Sequence, residues 1–268
     1  MKVDAKIKKI VERSEADSWV GYLTDSDRNF RIDVASILPY KGNREGSSKP
    51  PKWQMIRDYL LSEYSNQVTL VSGIEADDQL AIDQYKSYDL AVRALADTGC
   101  TPNEFKICVD DCYDHTIICS IDKDLMMVPG WHYDWNKDKR VFVTKVAGLR
   151  WFYKQLLTGD TVDNIKGLHG VGPKSTLLKY LDDCDEEWMM AAHVYGEYFK
   201  RFGHYASLFM RENASLLWML RSEGDVFDYS HLLDTQAEAR APATNDWPAH
   251  VDWSQFNPNK EEENEIPF

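Results

Sequence analysis

The chain has 268 residues, 43% of them hydrophobic, and a formal net charge of −13. That size fits one α/β domain with a smaller appendage, or two small domains. No apolar run approaches the ~20 residues of a membrane span, and the N-terminus lacks the basic-then-apolar order of a signal peptide, so a soluble cytoplasmic protein is expected. Five cysteines (Cys100, Cys108, Cys112, Cys119, Cys184) form no disulfide-rich pattern, and an odd count suits a reducing compartment. Cys108, Cys112, His115 and Cys119 could in principle ligate zinc. The stronger reading is core filling, because Cys108 and Cys119 lie in the apolar runs FKICV and TIICS.

Taken in chain order, residues 5–16 read as a polar helix and 19–25 (WVGYLTD) as a buried strand ending in an acid. Residues 26–52 are loop-like and basic. Residues 53–64 have apolar positions at helical spacing, and VTLVSG (68–73) reads as a strand. A helix is expected from about Glu75, and a second through 88–97. TIICSID (116–122) reads as a buried strand. WHYDW (131–135) and RVFVT (140–144) flank a hairpin turn. Residues 145–158 read as a helix, followed by a glycine-rich loop and two more helices to about 221. Strand–helix alternation to about 145 predicts an α/β fold with a mostly parallel sheet flanked by helices, followed by a helical region. The expected divisions are 1–158, with a basic segment 26–64, then 159–222, then an acidic tail 223–268.

The tail holds 11 acidic and 2 basic residues, so −9 of the net charge sits there and −4 in residues 1–222. Setting aside eight clustered carboxylates leaves that body at +4, enough for a cationic face toward phosphates. Those eight occupy places where elements meet. Asp25 ends one strand. Glu75, Asp77 and Asp78 follow another and open a helix, which is more acid than a helix cap needs. Asp122 and Asp124, two apart after TIICS, share a strand face. Asp160 and Asp163 have the three-residue spacing of one helical face. Like charges this close repel unless cations compensate, and an all-oxygen donor set suits Mg²⁺ or Mn²⁺. Two such ions could hold the attacking and leaving oxygens of a phosphodiester displacement.

The strings YKGNR (40–44), GIEADDQLA (73–81), SIDKDLMMV (120–128) and GDTVDNIKGLHGVGPKS (159–175), in this order, resemble the flap endonuclease/5′→3′ exonuclease family, most closely its bacteriophage members. The resemblance covers about residues 19–181. It implies a PIN-like 5′ nuclease domain and a helix–three-turn–helix. It implies a first metal held by Glu75, Asp77, Asp78, Asp122 and Asp124 with Asp25 nearby, and a second served by Asp160 and Asp163. Lys41 and Arg44 would stabilise the scissile phosphate, and Tyr40 could stack on a terminal base or simply anchor the loop. The loop residues Lys166, Gly167, Gly170, Gly172, Lys174 and Ser175 would approach DNA without reading sequence, and the loop would also bind K⁺. A phosphate-binding P-loop is the rival reading of GLHGVGPKS. It is disfavoured because Pro173 interrupts the Gly–Lys junction and no clear strand precedes the glycines.

The chain departs from the family in lacking an apolar first strand ending in Asp-Gly. Asp4, with polar flanks, is a poor substitute, and the chain is expected to start after that strand. The C-terminal EEENEIPF resembles the acidic tip of bacterial single-stranded-DNA-binding proteins, which implies that Ile266, Pro267 and Phe268 dock on replication proteins. The function expected is metal-dependent hydrolysis of DNA at duplex 5′ ends or 5′ flaps, in the host cytoplasm if the source is a phage. The alternative is a catalytically weakened DNA-binding adaptor of replication proteins.

Overall fold

The structure is a computed structural model that describes residues 2–44, 46, 48–101 and 110–228. Cys108 and the Ile266–Phe268 tip lie outside the described residues. The chain opens with α1 (Lys2–Ser14). The strand β1 (Gly21–Asn29) then pairs in parallel with β2 (Val68–Gly73), Gly21 opposite Val68 and Thr24 opposite Val71. The ladder shifts between Thr24 and Asn29, so Asp25 lies at its irregular end. Between the two strands come α2 (Phe30–Val34), a 3-10 turn (Gly42–Arg44) and α3 (Trp53–Glu63). The expected loop over 26–52 is therefore more structured than its composition suggested. Asn29 caps α2 by accepting the Arg31 N–H at 2.7 Å.

One 22-residue helix, α4 (Ala76–Asp97), replaces the two expected here. Lys86 and Ser87 at the supposed break are neither Gly nor Pro, and they carry the helix without interruption. A second sheet contains β3 (Ile117–Cys119), parallel to β4 (Gly130–Asp134), which is antiparallel to β5 (Lys139–Val143) in the hairpin expected. The parallel pairs thus fall in two small sheets, and among the described residues no ladder joins them. The link between them is α4. Gln84 donates to the Pro129 carbonyl at 2.9 Å and accepts from Thr116 at 3.0 Å, while Tyr22 of β1 donates to Asp83.

The helical half follows: α5 (Lys145–Thr158), a small hairpin of β6 (Gly159–Asp160) and β7 (Ile165–Lys166), then α6 (Thr176–Asp182), α7 (Glu187–Phe202) and α8 (Ala206–Leu217). Phe152, Tyr153, Leu156 and Leu157 recur at helical spacing on α5 and are fully buried. They share one core with Met190, Val194 and Tyr198 of α7 and Met210 and Ala214 of α8. Ile118, Leu125 and Ala81 from the α/β half join that same core. One apolar core therefore runs across residue 158. Phe227 closes the core against Phe152, with ring centroids 4.7 Å apart.

Candidate active site

The four sequence segments that carry the acidic and basic motifs converge. At the centre lies the turn after β6. Asp160 accepts the backbone N–H groups of Val162 (2.7 Å) and Asp163 (3.3 Å), which folds residues 160–163 into a tight turn. The helical spacing expected for Asp160 and Asp163 is thus realised in a hairpin rather than a helix, because the Asp160 side chain captures the local backbone donors. Asp122 does the same one segment earlier. Its Oδ1 accepts the Asp124 N–H at 2.9 Å, and Asp124 starts a 3-10 turn (Asp124–Met127). The strand expected over 116–122 ends at Cys119, so the two acids do not share a strand face.

The basic loop docks on this turn. Lys41 N–H donates to the Asp163 carbonyl at 2.9 Å, Asn43 Nδ2 to the Thr161 carbonyl at 2.6 Å, and Arg44 Nε to the Val162 carbonyl at 3.2 Å. The side chains continue the pattern. Lys41 Nζ pairs with Glu75 and lies 3.7 Å from Asp163, while Arg44 Nη2 meets Asp163 at 2.6 Å. The Tyr40 hydroxyl lies 2.8 Å from Glu75 and 2.9 Å from Asp163. Tyr40 thus bridges two of the acids and ties the loop to them, in line with the anchoring alternative. Burial, with Glu75 beside it, pushes its phenol well above the ordinary tyrosine range. Burial acts to raise Glu75, but Lys41, Arg31 and the Tyr40 hydroxyl outweigh it and hold the carboxyl below its ordinary value.

Asp77 and Asp124 show the opposite balance. Burial, then the facing Asp122, Glu75 and Asp78 carboxylates, pushes Asp77 up to about 7. Burial also pushes Asp124 up to about 6; Asp122 and Asp160 add to the rise, against the pull of Lys123 and the Gln155 amide. Asp160 is buried too, yet Lys123 Nζ at 2.6 Å and the two backbone donors hold it below the ordinary carboxylate value. The Thr24 hydroxyl accepts the Ala76 N–H at 2.9 Å, which fastens the end of β1, and with it Asp25, to the start of α4.

Asp78 departs from expectation. It is fully buried, and its two oxygens accept Arg31 Nη1 at 2.6 Å and Nη2 at 2.8 Å. Its carboxylate also accepts the Glu75 N–H at 3.0 Å in a capping box. A carboxylate held by a buried guanidinium has a structural role here, which favours a metal set without Asp78. Sequence reading missed Arg31, which lies inside the basic stretch with nothing to set it apart. It also passed over Lys123, although that residue stands between the two acids of SIDKD.

In the glycine loop, Gly167 also departs from expectation. A Cβ there would come within 2.2 Å of the Gly159 nitrogen and 2.5 Å of the Leu157 carbonyl oxygen, so the residue is small for the sake of its own chain. Gly170 and Gly172 face open space. They line a concave surface with Lys174 and Ser175, and Ser175 caps α6 by accepting the Leu177 N–H. Lys166 and Lys174 are exposed. A two-residue strand does precede the glycines, unlike the expectation that argued against a P-loop. Asp4 lies in α1, where it accepts the Tyr59 and Tyr64 hydroxyls of the α3 region at 2.6 and 2.8 Å.

Among the described residues, no three acidic, histidine or cysteine side chains stand arranged to hold a metal ion. The donor chemistry nevertheless fits a hard divalent cation. Glu75, Asp77, Asp78, Asp122, Asp124, Asp160 and Asp163 outnumber the cations Arg31, Lys41, Arg44 and Lys123 that face them. Burial chiefly raises Asp77 and Asp124, and the facing carboxylates add to the rise, so both acids would gain from a bound cation.

No family model matches the chain. It is 33% identical over 176 residues, 60% of its length, to a DNA polymerase I of Rhizobium leguminosarum. In fold it is aligned with a phage T5 protein co-crystallised with metal ions, at 13% identity and a TM-score of 0.43, covering 79% of this chain and 90% of that one. The T5 flap endonuclease in complex with DNA and metal ions aligns over 80% of this chain and 89% of that one, again at 13% identity and a TM-score of 0.43. The chain spans only 15% of the length of the curated DNA polymerase I that it matches.

Proposed function

We propose that the chain is a divalent-metal-dependent, structure-specific 5′ nuclease that hydrolyses DNA phosphodiesters at duplex 5′ ends or 5′ flaps. The observation that carries this reading is the docking of the basic loop on the acidic cluster, Lys41 on Glu75 and Arg44 on Asp163. A surface that only needed charge would not fix two cations beside a cluster that still holds excess carboxylate. The similarity to a DNA polymerase I agrees with DNA as the substrate.

In this reading Glu75, Asp77, Asp122 and Asp124, with Asp25 adjacent, would hold one Mg²⁺ or Mn²⁺, and Asp160 and Asp163 would serve a second. Bound ions supply an activated water and offset the charge of the phosphodiester. Lys41 and Arg44 present positive charge to the scissile phosphate, where it matters most as negative charge develops. The Tyr40 hydroxyl orients Glu75 and Asp163. Lys166, Lys174 and the open glycines Gly170 and Gly172 receive the duplex backbone, and K⁺ would bind at that loop. The acidic C-terminal segment would engage replication proteins, and deleting Pro267 and Phe268 should abolish their capture.

The test is cleavage of a 3′-labelled 5′-flap duplex and a blunt duplex, in Mg²⁺ and in EDTA. Cleavage that needs Mg²⁺ and is lost in Asp122→Ala/Asp124→Ala is the expected result. Salt-sensitive flap binding without cleavage would overturn the nuclease reading and identify a DNA-binding adaptor.

A further inference from the structure

We infer that Glu212, on α8, is a positioning residue that sets the path of the basic loop Tyr40–Arg44. This rests on the nuclease reading, in which Lys41 and Arg44 of that loop act on the phosphate. Glu212 is 7% exposed. Its Oε1 accepts two consecutive backbone N–H groups, Ser36 at 2.9 Å and Ile37 at 2.8 Å, and its Oε2 accepts the Ser36 hydroxyl. All three donors belong to the short segment that leads into the loop, more than 170 residues away in sequence.

A buried carboxylate is costly to desolvate, and here hydrogen bonds rather than a cation offset the cost. Burial outweighs those bonds and leaves the acid above its ordinary value. An apolar residue at this place in the α8 packing would avoid the cost altogether. What the carboxylate provides is a fixed anchor for two backbone amides, four and five residues ahead of Lys41.

The chain between anchor and cations has little slack. Pro39 fixes one dihedral, and its carbonyl accepts both the Asn164 Nδ2 group at 2.9 Å and the Gly42 N–H at 3.0 Å. Asn164 sits in the left-handed region at φ 61°, a conformation asparagine tolerates better than most residues. The loop is thus held at its entrance by Glu212, at its middle by Asn164 and at its end by the 161–163 carbonyls. A displacement of about 1 Å in a group acting on a transition state can cost ~100-fold in rate.

The experiment pairs hydrogen exchange with kinetics on the full chain. In Glu212→Ala the amides of residues 36–44 should exchange at least tenfold faster, while those of α5 and α7 keep their protection. On a flap duplex with Mg²⁺, kcat should fall tenfold or more with KM little changed. In a Lys41→Ala/Arg44→Ala background the same substitution should add almost nothing. Glu212→Gln, which keeps an acceptor for the two backbone amides, should restore most of both readouts, and Glu212→Leu, which keeps the volume but has no acceptor, replaces Glu212→Ala if that variant does not fold. Unchanged exchange at 36–44, or a rate loss that adds in full to that of Lys41→Ala/Arg44→Ala, would overturn the inference. If the unsubstituted chain does not cleave DNA, the nuclease reading fails, and the exchange arm still decides whether Glu212 anchors the loop.

Discussion

Replacing Asp78 by alanine separates a structural acid from a metal ligand. Asp78 and Arg31 are both almost completely buried, at 0% and 2% exposure. The pair is bidentate, and Arg31 also donates to the Leu216 carbonyl at 2.9 Å and the Trp218 carbonyl at 2.7 Å. One guanidinium therefore ties α2, the start of α4 and the end of α8 together. Removing the carboxylate leaves that cation buried and uncompensated, a change that typically costs ~3–5 kcal/mol. It also removes an acceptor for the Glu75 and Leu220 N–H groups. For a folded body of this size, each kcal/mol moves Tm by ~2–4 °C, so a fall of about 6–20 °C is expected. The assay is thermal unfolding in EDTA, where metal plays no part. The double variant Arg31→Met/Asp78→Leu should recover part of the loss, because an apolar pair carries no buried charge. A Tm in EDTA that stays within about 2 °C of the unsubstituted protein, with the Mg²⁺-induced rise in Tm abolished, would refute the reasoning and return Asp78 to the ligands.

Burial, with the neighbouring carboxylates, pushes Asp77 up to about 7 and Asp124 up to about 6. The folded state therefore binds more protons between the ordinary carboxylate value of 3.8 and about 7, so metal-free stability should fall as pH rises through that window. Asp77→Asn should flatten that slope in thermal scans in EDTA, and a slope unchanged by it would reject a raised Asp77 carboxyl. For the same reason Mg²⁺ should raise Tm more at pH 8 than at pH 6, and Asp122→Ala/Asp124→Ala should remove most of the rise. Gly167→Ala drives a Cβ into backbone atoms of Leu157 and Gly159 and should cost ~3 kcal/mol or more in urea denaturation. Gly172→Ala meets nothing within 4 Å and should change stability by less than ~0.5 kcal/mol. Lys174→Ala should weaken duplex binding similarly for all sequences and lower the salt slope by about 1; a sequence-dependent loss would argue against a phosphate contact.

Much of this protein was legible in the sequence alone, because periodicity and residue chemistry are local properties. The apolar spacing of residues 152–157 announced α5, and the alternation around Asn136–Lys139 announced the hairpin of β4 and β5. The acidic and basic segments were recognisable as candidate site pieces because carboxylates at this density need an explanation wherever they fall. What the sequence could not assign was the partner of each charge. Asp78 and Asp77 are neighbours of one residue type, yet one faces inward to Arg31 and the other faces Asp122. A single step along the helix, about 100°, decides that, together with an arginine 47 residues away. Asp122 and Asp160 looked like members of a strand and a helix, and each instead folds its own turn by capturing backbone N–H groups. That competition between side chain and ladder is settled only when the neighbouring elements pack. The joining of Lys41 to Glu75, of Arg44 to Asp163 and of Ser36 to Glu212 belongs to the tertiary structure. These contacts link residues 34 to 176 positions apart, and only the shared core around α5 brings them within reach.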